Sequence, residues 1–216
     1  MDPGEERYSA RFKSLIPLEY FGLEDVEKKP YHWTHTTSGS HDSILNRTFH
    51  NIENSPMNSE KTLREHLLEL LGEGHAHVPF DDVVNDFPQD LLGKNISGIP
   101  YTPWQLFEHI RISQWDILEF SRDASHVSPK WPEGYWPTRE SPEDKEKWER
   151  SVAAFQADLS AMRKLVADPS RDLYARIPHG DGQTILREAL VLADHNAYHL
   201  GQLVLLKRLL GAWEDR

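Results

Sequence analysis

The chain contains no cysteine, which removes disulfides, thiolate metal sites and cysteine nucleophiles together. It also lacks an excess of positive charge. Lys+Arg 24 against Asp+Glu 35 leave a formal charge of −11, whereas nucleic acid and anionic membranes call for a concentrated basic face. No apolar run approaches the roughly 18 residues of a membrane span. The amino-terminal MDPGEERYSARFKSL lacks the basic-then-apolar order of a signal peptide. No Gly-rich phosphate loop, no Ser-His-Asp ordering and no basic–aromatic strip stands out. These absences lead to the expectation of a cytoplasmic globular protein that engages neither nucleic acid nor membrane. With 216 residues, 38% of them hydrophobic, one core in one domain plus an appendage is expected. What the chain does have in abundance is histidine, 12 residues.

Residues 1–58 form a distinct stretch. YHWTHTTSGSHDS and NRTFHNIENSP are rich in Ser, Thr, Asn and His, and their apolar residues follow no sustained period, which predicts a loosely ordered or accessory extension. Met57 stands just before Ser59, a capping residue type, and is a candidate start of the natural product. From 59 to 213 the pattern is helical. Ser59 is expected to cap a helix through about Gly72, with Leu63, Leu67 and Leu70 on one face. A short helix is expected near 81–86. Thr102-Pro103 pairs an N-cap with a first-turn proline, and Leu106, Ile110, Ser113, Ile117 and Phe120 follow at helical spacing. After KWPEGYWPTRE, the run Ser141-Pro142-Glu143-Asp144 marks another start, with acids suited to a first turn. Behind it Trp148, Val152, Phe155, Leu159, Met162 and Val166 step by fours and threes. A last helix should run from Thr184 to about Leu210, with Gly211 as its stop. Four such helices without an alternating strand pattern predict an all-α four-helix bundle.

The stripe of the last helix is unusual. It reads Leu192, His195, His199, Gln202, Leu206, Leu209, with polar residues where aliphatics belong. His195 and His199 are one turn apart on one face and can converge on a single cation. Twelve histidines in a chain of this length supply roughly 0.6 such pairs by chance, so the spacing needs context. The stripe provides it, because an unpaired imidazole buried in a bundle core costs roughly 1–3 kcal/mol. His109 lies beside Leu106, Ser113 and Ile117 on the edge of the second helix's inward face. Three neutral imidazoles from two packed helices would leave coordination positions for water or substrate, the layout of a catalytic metal site. Imidazoles suit Zn, Ni, Cu or Fe, and no carboxylate draws the choice toward Mg or Ca. On the residues alone, satisfied core or surface histidines remain an equal alternative. A zinc-protease reading fails, since Asn196 stands where that motif needs Glu.

The segments PWQLFEHIRISQWD (103–116) and DGQTILREALVLADHNAYHLGQLVLLKRLLGAW (181–213), with DHNAYHLGQ as the most specific motif, resemble the DinB-like superfamily of metal-binding four-helix bundles. The resemblance covers about 59–213 and leaves 1–58 out. It implies a metal triad of His109, His195 and His199 holding a divalent ion, zinc or nickel by preference. Some relatives transfer low-molecular-weight thiols such as bacillithiol or mycothiol, and others resemble metal-dependent hydrolases. The resemblance therefore implies a metal-dependent thiol S-transferase or hydrolase acting on a small-molecule substrate, with a homodimer as the suggested assembly. The competing expectation is a non-catalytic metal-binding or stress-related interaction module.

Several further residues carry expectations. Glu188, seven before His195, could orient a ligand or act as a base, or form a salt bridge at the bundle end. Gln202 could hydrogen-bond a ligand, and Asp194 and Asn196 are expected to face outward. His66 is expected half-buried near the inward face of the first helix, His179 near the cavity mouth and solvated. Trp131, Tyr135 and Trp136 could line an entrance or cover the bundle end. Arg111 and Arg187 could hold an anion or sit in surface ion pairs. His75 and His77 do not chelate easily, and His32 and His35 pair only in a helix.

Overall fold

The computed structural model describes residues 56–72 and 76–213. The expectations for residues 1–55, including His32 and His35, and that for His75 lie outside the described residues. Five helices and no strand make up the described chain, an all-α fold. Helix α1 spans Pro56–Leu70, the short α2 Phe80–Val84, α3 Pro103–Arg122, α4 Lys145–Ala167 and α5 Ile185–Leu209. A single 3-10 turn, Gln89–Leu91, lies between α2 and α3. The long helices α1, α3, α4 and α5 form the bundle: α3 packs on α4 and α5, and α1 on α4 and α5.

The helix starts follow from local chemistry. Thr102 Oγ1 accepts from Gln105 N, and Gln105 Oε1 accepts from Thr102 N, a full capping box with Pro103 behind it. Asp144 accepts from Lys147 N at 2.6 Å, so α4 begins at Lys145 rather than near Ser141. Thr184 accepts from Arg187 N, and Gly211, with φ of 71°, takes the left-handed position after α5. Ser59 is not a cap, because α1 is already helical from Pro56. Two buried cations satisfy helix C-termini. Arg64 donates to the carbonyl of Val166 at the end of α4 and to that of Arg171 in the turn that follows, and Lys207 Nζ donates to those of Val83 and Asn85 at the end of α2.

The apolar side chains gather into two clusters. One holds Phe87, Leu106, Phe107, Ile110, Trp148, Phe155, Leu200, Leu203 and Leu206. The other holds Leu67, Leu71, Ile117, Leu118, Met162, Val166, Ile185 and Leu192. The α1 stripe thus continues through Leu71, and Leu70 points to solvent. Leu209, at the end of the α5 stripe, is also exposed.

Candidate metal centre

A polar layer separates the two apolar clusters. On α3 it spans His109 to Gln114, interleaved with Ile110, and on α5 it lies between Leu192 and Leu200. Its members are Ser113 and Gln114 from α3 and Asn196 from α5, together with His109, His195 and His199. Gln114 Nε2 donates to the Phe155 carbonyl of α4 at 2.7 Å, and Asn196 Nδ2 donates to Gln114 Oε1 at 2.8 Å. Asn196 therefore faces α3 and not solvent. These bonds fix the depth and rotation of α3, α4 and α5 around the histidines.

His109, His195 and His199 are each buried, at 0%, 4% and 1% exposure. His109 lies deeper than the edge of the α3 face that its spacing indicates. One ring nitrogen from each can be chosen so that all lie within 4.8 Å of one another. The sequence-selected trio is thus a cluster in space, and no other His, Cys, Asp or Glu among the described residues joins it.

The hydrogen bonds select the tautomers. His109 Nδ1 lies 3.3 Å from the Tyr135 carbonyl, and a carbonyl can only accept, so the proton sits on Nδ1 and the Nε2 lone pair points into the cluster. His199 Nδ1 donates to Gln202 Oε1 at 2.7 Å, again freeing Nε2. That His199 Nε2 is buried with no hydrogen-bond partner, an arrangement that costs stability unless something accepts the lone pair. His109 Nε2 and His195 Nε2 stand 3.2 Å apart. Two nitrogens bound to one tetrahedral ion at 2.0–2.1 Å would stand roughly 3.3 Å apart. A divalent ion therefore fits the donor set, the orphaned His199 Nε2 and the closest spacing, while His195 Nδ1 stays buried without a hydrogen-bond partner among the described residues. The outer hydrogen bonds from Tyr135 and Gln202 are the kind that orient metal-bound imidazoles.

Burial sets the charge state. It pulls the His109 pKa down to about 3, with the neighbouring His199 adding to the effect and the Tyr135 bond opposing it. It pulls His199 down to about 4, against the Gln202 bond. His195 falls well below the ordinary histidine range, first by burial and then by its two histidine neighbours. All three are neutral near pH 7, the state that coordinates a cation.

The connection between α3 and α4 runs back along α3 and is tied to it at successive heights. His126 Nε2 donates to Asp116 Oδ1 at 2.7 Å and Tyr135 Oη to Asp116 Oδ2 at 2.6 Å. Next comes the Tyr135 carbonyl on His109, then Gln105 Nε2 on the Pro137 carbonyl at 3.2 Å, then Thr102 Oγ1 on the Glu140 carbonyl at 2.6 Å. This places Trp136 flat on the His109 ring, with centroids 4.0 Å apart and planes 3° from parallel. Tyr101 stacks against Trp136 at 5.5 Å, Trp131 lies 6.4 Å from His109, and the half-exposed Tyr198 lies 5.0 Å from His199. Trp131 and Trp136 thus border the triad. Tyr135 serves it through its backbone, a role that no side-chain pattern in the sequence signals.

Other candidates sit elsewhere. His66 is exposed and pairs with Glu69, so it neither lies half-buried nor approaches the triad. His77 is exposed, and His179 donates to the Phe120 carbonyl at 2.7 Å. Glu188 is buried and paired with Arg187, and Arg111 chelates the buried Glu108. Burial pushes the Glu108 carboxyl up, but the Arg111 bonds and charge outweigh it and the pKa falls. Neither arginine is therefore an open anion site. Asp116 and His126 were missed by spacing, since their partnership depends on the path of the loop.

The family model of the DinB superfamily matches residues 65–203, a range that contains all three histidines and Asp116. No curated protein and no solved structure matches the chain.

Proposed function

We propose, on the premise that the chain belongs to the DinB superfamily, that His109, His195 and His199 hold one divalent metal ion and that the chain uses it on a small-molecule substrate. The reaction is S-transfer of a low-molecular-weight thiol or a hydrolysis, and the ion is zinc or nickel, both suited to an all-imidazole set. The observation that carries this is the convergence of three neutral imidazoles with no fourth ligating side chain joining them among the described residues. Three protein ligands and a remaining position are the pattern of catalytic rather than structural sites. A bound ion lowers the pKa of a thiol or water at that position. The protein's own part is orientation and exclusion of water. Tyr135 and Gln202 hold the Nδ1–H tautomers of His109 and His199, and Trp136 covers one face of His109.

Elemental analysis of untagged protein tests the proposal, with about one ion per chain expected. Replacing all three histidines with alanine should abolish both metal content and turnover, and retention of both would refute it. The low exposure of the three rings favours a second reading, a metal-binding module without catalysis. Titration of the cobalt-substituted protein with a small anion separates the two. A changed visible spectrum indicates a reachable coordination position, and an unchanged one a closed site.

A further inference from the structure

We propose that Asp116 is a positioning residue of the triad, acting on His109 through Tyr135. The inference deepens the metal-site reading and rests on it. Asp116 lies seven residues after His109 on α3, two turns along the same side of the helix. Its carboxylate accepts from two side chains of the returning loop, Tyr135 Oη at 2.6 Å and His126 Nε2 at 2.7 Å. Both bonds involve a charged acceptor and are therefore among the stronger kind. The Asp116 and His126 side chains are 14% and 8% exposed, so little water competes for them.

Two ties between Tyr135 and α3 carry the effect. The tyrosine hydroxyl is tied to Asp116, and its carbonyl accepts from His109 Nδ1. The first bond fixes where the second can be. Without it the loop keeps its bonds at Gln105 and Thr102 but loses the anchor above His109, and the carbonyl no longer selects the Nδ1–H tautomer. His109 then places a proton on the nitrogen that should face the ion. His126 completes the anchor by occupying the other carboxylate oxygen, which holds the Asp116 plane turned toward Tyr135.

The test uses the full chain with Tyr135→Phe, Asp116→Asn and the double variant. Nitrogen-15 NMR of the metal-free protein reads which nitrogen of His109 carries the proton, and cobalt(II) titration reads affinity and the visible spectrum. The wild type should show His109 as a single Nδ1–H tautomer. Each variant should show a mixture, bind cobalt about 10- to 100-fold more weakly and alter the spectrum. The double variant should be no worse than the poorer single one, because both act through one contact. Variants that keep the tautomer and the wild-type cobalt affinity overturn the inference even if they melt earlier, since a loop staple alone would do that. If Asp116→Asn does not fold, Tyr135→Phe, which removes one oxygen, decides. A wild type that binds no cobalt while the variants still shift the tautomer would refute the metal reading and leave the positioning role intact.

Discussion

The metal-free protein should be acid-labile, by an amount that follows from the burial of its imidazoles. In the fold, His109 and His199 take a proton only near pH 3 and pH 4, whereas in the unfolded chain each does so near pH 6.5. Between these values the unfolded state binds more protons than the folded one, so stability rises with pH and falls as pH drops through about 6.5. At pH 5 each unfolded imidazole is almost fully protonated and each folded one almost fully neutral. The loss relative to pH 7.5 is therefore about 2 kcal/mol per histidine, or about 4 kcal/mol for the two. His195, displaced in the same direction, adds to it. Set against a domain stability of roughly 5–15 kcal/mol, this is a large fraction. Urea unfolding of chelator-treated protein at pH 7.5 and pH 5.0 measures it. The comparison is His109→Phe/His199→Leu, which lacks both groups and should show a pH difference smaller by about 4 kcal/mol. Parallel losses in the two proteins would refute the buried, neutral state of these rings.

Three other outcomes are expected. Gln202→Leu frees His199 Nδ1 from its hydrogen bond to the amide oxygen and should weaken zinc binding about 10-fold, read by competition with a chromophoric chelator. Phe155→Ala, at 1% exposure in the cluster beside the polar layer, should cost about 3–5 kcal/mol in denaturant unfolding. Thr102→Ala removes the α3 cap and the bond to the Glu140 carbonyl. It should cost about 1–2 kcal/mol, seen as a lower melting temperature.

Periodicity located the long helices because each buries one stripe, and a stripe repeats in the sequence as threes and fours. The same pattern pointed to the cluster, since His195 and His199 interrupt apolar spacing on α5, whereas His109 stands at the edge of the α3 stripe and joined them through the family resemblance. The errors have physical causes too. Leu70 and Leu71 are both leucine, and only the rotation of α1 against α4 and α5 decides that Leu71 goes inside and carries His66 outward. Ser59 has the side chain of a cap, but Pro56 already begins the helix. Asn196 turned inward because Gln114, from another helix, offers it an acceptor. The link from Asp116 through Tyr135 to His109 joins residues by way of a loop with no period at all, so nothing local in the sequence announces it.

The segment laid along α3 has two halves with different tolerance for change in length. Just after His126, at Val127, which is 83% exposed, an added residue can bulge into water without moving the rungs at Tyr135, Pro137 and Glu140. Between Tyr135 and Pro137 an added residue would advance the chain by up to about 3.5 Å, enough to slide the indole off the imidazole beneath it or the carbonyl off its donor. Among chains of this kind, length differences should therefore collect early in the segment and stop short of the tryptophan. Graft or loop-exchange experiments that respect that boundary should keep the histidine cluster in register.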